Sequence, residues 1–202
     1  RPDVHVRPAR LPDSHVSRHD GVPLTSLART AVDLMRESDR VSALIVGDQA
    51  LRLGCARSEL VEVAEACAGW RGGKQALDLA LFADGRAESG AESLGRLVAR
   101  DFGLPPCVPQ LEIRDARGRS RRLDIAFPGQ WTALEPDGKV KYRQPFGDPA
   151  DVLWEEKLRE DSIRDVGWEV VRATWNELHR EPHQVVDRLR AAFARAERRH
   201  AC

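Results

Sequence analysis

The sequence predicts an α/β protein whose core follows the order α-β-β-β-α-β, preceded by a small helical accessory region. Two observations carry this. Apolar residues recur at 3–4 spacing before Gly85, then alternate with period two from Val108 to Phe127. Glycine falls at the ends of the expected elements, at Gly54, Gly103 and Gly167.

Residues 1–22 carry three prolines and His5, His15 and His19. They read as an extended arm, the remnant of a missing segment, with short strands near Val4–Arg7 and Ser14–Arg18. A histidine metal site is the sharper alternative. Residues 23–84 read as the helical accessory region. Thr25 and Ser26 can cap a first helix carrying Leu27, Ala31, Leu34 and Met35. A second helix is expected from Arg40 to Leu53 and a third, capped by Ser58, from Glu59 to Cys67. After the break at Gly69–Gly73 a fourth runs over Lys74–Ala83. This cluster needs another surface for its apolar stripes, which suggests packing on the C-terminal half of the chain.

Residues 85–178 hold the core. A helix is expected over Ala87–Phe102, a strand over Val108–Arg114 and a returning strand over Arg121–Phe127. Gly118 supplies the left-handed residue of the hairpin between them. Trp131–Glu135 is the third strand, about Asp148–Val166 the next helix, and Trp168–Thr174 the last strand. In that helix Trp154, Leu158, Ser162 and Val166 make a packing row. Glu155 and Arg159 lie four apart at its edge, either an i,i+4 ion pair or side chains that border the site and orient a ligand or phosphate, and Lys157 and Asp161 make a solvated pair. Residues 179–202 form a C-terminal helix, about His183–Arg199, with Val185, Val186, Leu189, Ala192 and Phe193 on one side.

Acids and bases cancel across the 202 residues, which argues against bulk electrostatic binding to DNA but leaves local basic patches open. Cys55, Cys67, Cys107 and Cys202 have no zinc-like spacing and read as reduced thiols of a cytoplasmic protein. No apolar run reaches the roughly 18 residues of a membrane helix, so no membrane partner is expected.

Asp124 lies inside an apolar strand, Leu123-Asp124-Ile125-Ala126-Phe127, where an acid needs a task or a partner. Leu123, Ile125 and Phe127 are expected on one face, Asp124 and Ala126 on the other. Glu135 follows in Ala133-Leu134-Glu135-Pro136-Asp137-Gly138-Lys139. Adjacent antiparallel strands can set Asp124 beside Glu135, and converging carboxylates suit Mg2+ or Mn2+. The plainer reading pairs Asp124 with Arg121 or Arg122 and leaves Glu135 at a strand end. Arg117, Arg119, Arg121 and Arg122 form a basic hairpin beside Asp124, either a phosphate-positioning tip or solvated surface. Ser89-Gly90-Ala91-Glu92 fits a capping box.

The segments Ala87–Ser93, Leu123–Ala126, Glu135–Tyr142 and Trp154–Asp161, in this order and followed by Gly167–Trp175, resemble the PD-(D/E)xK nuclease superfamily. More narrowly they resemble its Vsr-like (very-short-patch-repair-like) domain. Gly21–Thr30 resembles the helical region that precedes this domain in AbiEi-type antitoxins. The resemblance implies a restriction-endonuclease-like core with a mixed sheet and a Mg2+- or Mn2+-dependent DNA endonuclease. Asp124 and Glu135 would be ligands, and Glu88 or Glu92 would complete the site. This chain departs from the pattern in two places. Asp137 stands where the catalytic lysine is expected, leaving Lys139 or Lys141 to supply the cation, and Pro136 interrupts the strand. These departures motivate the alternative, a non-catalytic DNA-binding antitoxin or transcriptional regulator. A third reading is a toxin-neutralising protein whose partner docks on the helical region.

Overall fold

A computed structural model describes residues 11–137 and 149–201, with the side chains of residues 149–153 excepted. The chain divides into two compact units, residues 1–83 and 84–202.

In the first unit a 3-10 turn, Asp13–His15, leads into a hairpin of β1 (Val16–His19) and β2 (Val22–Thr25). Four helices follow: α1 (Leu27–Glu37), α2 (Arg40–Arg52), α3 (Arg57–Ala66) and α4 (Gly73–Phe82). Ser26 caps α1 by accepting the Arg29 N–H, and Asp39 caps α2 by accepting those of Val41 and Ser42. Three expectations are corrected. The helical region does not begin directly after residue 22, because residues 22–25 belong to the hairpin. Ser58 lies inside α3, whose N-cap is Ala56. The buried stripe of α1 is Ala28, Ala31, Val32 and Met35, whereas Leu27 and Leu34 are exposed. Both stripes have 3–4 spacing, and packing against the neighbouring helices selects the one that faces inward.

The second unit runs α5 (Gly90–Asp101), β3 (Val108–Arg114), β4 (Ser120–Phe127), β5 (Thr132–Asp137), α6 (Pro149–Arg164), β6 (Glu169–Thr174), α7 (Trp175–Arg180) and α8 (Pro182–His200). The four strands form a mixed sheet in the order β3-β4-β5-β6, with β6 parallel to β5 and the other pairs antiparallel. The α-β-β-β-α-β order is therefore present. Helix α5 begins later than expected, since Ser89 is its N-cap. The short α7 has no counterpart among the expected elements; Thr174 and Glu177 form a reciprocal capping box at its start.

Helix α5 lies close on the sheet because residue 95 is glycine. A Cβ there would come within 2.7 Å of Ile125 Cδ1 and 3.2 Å of Leu134 Cδ2. Phe127 meets Phe193 of α8 edge to face, at 5.2 Å between ring centroids. A second cluster joins Leu123, Ala126 and Ala133 to Ile163 of α6 and to Trp168 and Val170. Leu123 thus packs with Ala126, not with the opposite face as strict alternation predicts. Gln110, across from this stretch, has φ +55, and the β3–β4 ladder skips its rung with Asp124. The expected packing row of α6 is also corrected: Trp154 and Leu158 are exposed, and Ile163 is the fully buried residue.

Candidate functional site: a fork in the sheet held by arginine

β4 and β5 pair from Phe127↔Thr132 to Ile125↔Leu134, and the ladder stops there. One further rung would set Asp124 opposite Glu135. Instead β4 continues along β3 as far as Ser120, and β5 continues along β6 as far as Asp137. The sheet forks where the two acids lie. Pro136 falls on the splayed side of β5, where no rung with β4 requires its missing N–H.

Arg159 of α6 enters this fork. Its two terminal nitrogens donate to Glu135, Nη1 to Oε2 at 3.2 Å and Nη2 to Oε1 at 3.1 Å. Nη2 also donates to the Arg122 carbonyl at 2.6 Å, and Nη1 to Glu156 at 3.2 Å. One guanidinium therefore bridges β4, β5 and its own helix. The Glu135 side chain is only 9% exposed, so it needs this charge-assisted fork. Burial works against the charge on Arg159. The carboxylate of Glu135, followed by those of Glu156 and Asp124, outweighs it and raises the guanidinium above its ordinary value. Arg172 of β6 adds a second positive group. It bonds Glu156 at 2.6 Å and Glu160 at 2.9 Å, and lies 3.8 Å from Glu135.

The other expected site acids are engaged elsewhere. Glu92 accepts the Glu88 N–H at 2.9 Å, the Ser89 hydroxyl at 2.8 Å and the Gln110 amide at 2.7 Å. It ties the start of α5 to strand β3. Ser89 accepts the Glu92 N–H as the capping box requires, but the return arm lands on Glu88, one residue before the cap. Glu88 pairs with Arg122 at 2.9 Å. Asp137 ends β5 opposite Thr174 of β6. Lys139 and Lys141 lie outside the described residues.

In the basic hairpin, Asp115 organises the turn. Its carboxylate accepts the backbone N–H groups of Arg117 and Arg119 and the Nε groups of Arg119 and Arg121. Burial pushes its pKa upward, but these hydrogen bonds hold the carboxyl below the ordinary value. Arg121 pairs with Asp115 and Arg122 with Glu88. The expected Glu155–Arg159 pair is replaced by Arg159–Glu156 and Arg159–Glu135. Lys157 lies over the Trp154 ring, at 5.8 Å from its centroid.

Among the described residues, no group of three or more His, Cys, Asp or Glu side chains stands close enough to hold a metal ion. His15 is buried against Arg29, with 3.3 Å between Nδ1 and Nη1, and His19 is exposed; His5 lies outside the described residues. Asp124 and Glu135 are oxygen donors of the kind a hard cation takes. The arrangement on Glu135 nevertheless suits a guanidinium, and Glu92 is committed to its three donors. The sequence sets Arg159 at the edge of the α6 packing face, paired with Glu155 or bordering the site, and gives Gln110 no role. Gln110 Oε1 is buried and finds no donor among the described residues. No local pattern marks the Arg159–Glu135 and Gln110–Glu92 contacts, because those partners lie far along the chain.

The fold is that of an α/β protein with a four-stranded mixed sheet in its second unit. The chain is 34% identical over 197 residues to two proteins of Mycobacterium tuberculosis, uncharacterized protein Rv2248 of strain H37Rv and uncharacterized protein MT2308 of strain CDC 1551. The match covers 97% of this chain and 71% of each relative, and the chain belongs to their family. No family profile and no solved structure matches it. Among the described residues no helix is long and apolar enough to cross a membrane.

Proposed function

We propose that the second unit is a restriction-endonuclease-like domain of the Vsr-like type, acting as a Mg2+- or Mn2+-dependent DNA endonuclease. The observation that carries this reading is the fork itself. Two acids, Asp124 and Glu135, lie one rung beyond the last β4–β5 pair, at a splayed strand end within an α-β-β-β-α-β unit. Asp124 and Glu135 would hold the ion, which supplies an activated water and charge stabilisation on a phosphate. The hairpin arginines, above all the exposed Arg117, would meet the DNA backbone. Free thiols at Cys55, Cys67 and Cys107 suit the cytoplasm.

The second reading is a non-catalytic DNA-binding antitoxin or regulator. It is favoured by the engagement of Glu135 with Arg159 and by Asp137 at the position of the expected lysine. Under either reading, the exposed Val22, Leu24, Leu27 and Leu34 offer the first unit apolar surface for a protein partner.

Plasmid nicking separates the two readings. The endonuclease reading expects nicking with Mn2+ that disappears in Asp124→Asn and in Glu135→Ala. DNA binding that survives chelation, with no nicking at any Mn2+ concentration, supports the regulator instead. Arg117→Ala is expected to weaken DNA binding evenly across sequences and to lower the salt slope by about one.

A further inference from the structure

Strand β3 is an edge of the sheet: β4 lies on one side of it and, among the described residues, no strand lies on the other. The hairpin turn fixes which of its backbone groups face that open side. The Asp115 N–H donates to the Arg119 carbonyl at 2.9 Å, and the ladder continues through Ile113↔Arg121 and Leu111↔Leu123. Hydrogen-bonded rungs alternate with open ones in an antiparallel pair, so Leu111, Ile113 and Asp115 direct their backbone groups to β4. Glu112 and Arg114 turn theirs outward, as a template for one more strand. Their side chains are exposed, whereas Leu111 and Ile113 are half-buried and pack against the cluster of Leu123 and Ile163. At the other edge strand, β6, arginine side chains take the carbonyls instead: Arg188 that of Arg172 at 3.1 Å and Arg164 that of Val170 at 3.5 Å.

The edge is complementary to itself. A second antiparallel β3 must set outward groups against outward groups. A register centred on Glu112 or on Arg114 puts that residue against its own copy, a like-charge pair on the axis. The register centred on Ile113 sets Glu112 against the partner's Arg114 and Arg114 against the partner's Glu112. Each of these rungs exchanges both backbone hydrogen bonds and brings opposite charges side by side on one face. On the other face Ile113 meets the partner's Ile113 in an open rung, where side chains approach most closely.

We propose that β3 is a homodimer seam, in which two copies of this chain pair antiparallel about Ile113 and merge their sheets into one with twofold symmetry. The seam is short, so the dimer is weak and depends on concentration. The inference goes beyond the nuclease and regulator readings and holds under either. Its consequence for both is that the two basic hairpins, one from each chain, lie on opposite sides of the twofold axis.

The test is sedimentation velocity of the full chain over a wide range of concentration, comparing wild type, Glu112→Arg, Arg114→Glu and the variant that carries both changes. Wild type is expected to pass from monomer to dimer as concentration rises. Each single change opposes like charges in both rungs and should weaken self-association about tenfold. The double change exchanges the two charges and should restore it. An equal mixture of the two single variants should associate more strongly than either alone, since one edge is then basic and the other acidic. Far-UV circular dichroism of each variant checks that these exposed positions leave the fold intact. A monomer at every concentration overturns the seam and leaves the edge to a strand of another protein. A dimer that both single variants form as readily as wild type overturns it too, because the contact then lies elsewhere. Folded single variants whose mixture shows no gain overturn the register.

Discussion

Arg159 sets its two terminal nitrogens on the two carboxylate oxygens of Glu135, at 3.2 and 3.1 Å, from a helix 24 residues further along the chain. The pair lies at the point where β4 and β5 part. It stands in for the ladder bonds that the fork gives up, because the same guanidinium also holds the Arg122 carbonyl.

This relationship predicts a measurable coupling. The carboxylate is nearly buried and the guanidinium is 27% exposed, so the pair falls between a surface and a buried salt bridge. Glu135→Gln and Arg159→Gln should each destabilise the second unit by about 1–3 kcal/mol. The double variant should lose less than the sum, with a coupling of about 1–2 kcal/mol in urea unfolding. Strict additivity would show that the pair contributes nothing.

Gly95 sets the distance between α5 and the sheet. In Gly95→Ala the new methyl would meet Ile125 Cδ1 at 2.7 Å, tighter than side chains tolerate without a shift. Overpacking of this kind costs about 1–3 kcal/mol, partly offset by about 1 kcal/mol of better helix propensity. A net loss of about 1 kcal/mol in thermal or urea unfolding is expected. Stabilisation would show that the sheet side gives way freely.

Glu92 is expected to matter more for stability than an ordinary capping residue. Ser89→Ala removes the acceptor of the Glu92 N–H and one of the three donors to the Glu92 carboxylate, and should cost about 1 kcal/mol. Glu92→Ala removes the acceptor of three donors, including the Gln110 amide on β3. A loss of about 2–3 kcal/mol is expected, because three donors, the half-buried Gln110 amide among them, are left without their partner. Equal losses for the two variants would reduce Glu92 to a cap alone.

Acid should weaken the fold from a known set of carboxylates. Asp39 is lowered chiefly by the Ser42 hydroxyl, and Glu177 by the Thr174 N–H and hydroxyl. In Asp84 and Asp115 burial acts upward, but hydrogen bonds to Arg86 in the one and to Arg119 and Arg117 in the other leave both lowered. A carboxyl with a lowered folded value stabilises fully above its unfolded value and loses that contribution as pH falls through the folded one. Stability should therefore hold from neutral pH to about pH 5 and decline below about pH 4, the unfolded carboxylate range. Glu177→Gln should make the decline shallower in unfolding followed across pH.

The elements are legible where their signals are local. Gly118, at φ +74, makes the hairpin turn that its sequence announces, and Ser26 caps α1 as its position suggests. Gly167, at φ +93, follows α6 as a stop. Both acids of the candidate site can be named because an acid in an apolar strand is conspicuous against its neighbours. Phase and partnership are not legible. Leu27 and Leu34 share their spacing with Ala28 and Met35, and only contact with other helices chooses between them. Trp154 and Leu158 form a regular row on α6 yet remain exposed.

The sequence by itself determined the α-β-β-β-α-β order of the second unit, many of the element ends and the position of Asp124 and Glu135 within the strands. Hydrophobic period and backbone preference act over a few residues, so a few residues reveal them. The tertiary structure alone decided that the sheet forks at those acids, that Glu92 is bound to Gln110, and that Arg159 takes Glu135 and not Glu155. An arginine reaches any carboxylate its helix is carried past. Which one it meets depends on the register of strands and the docking of α6, and these are fixed by packing across the whole unit.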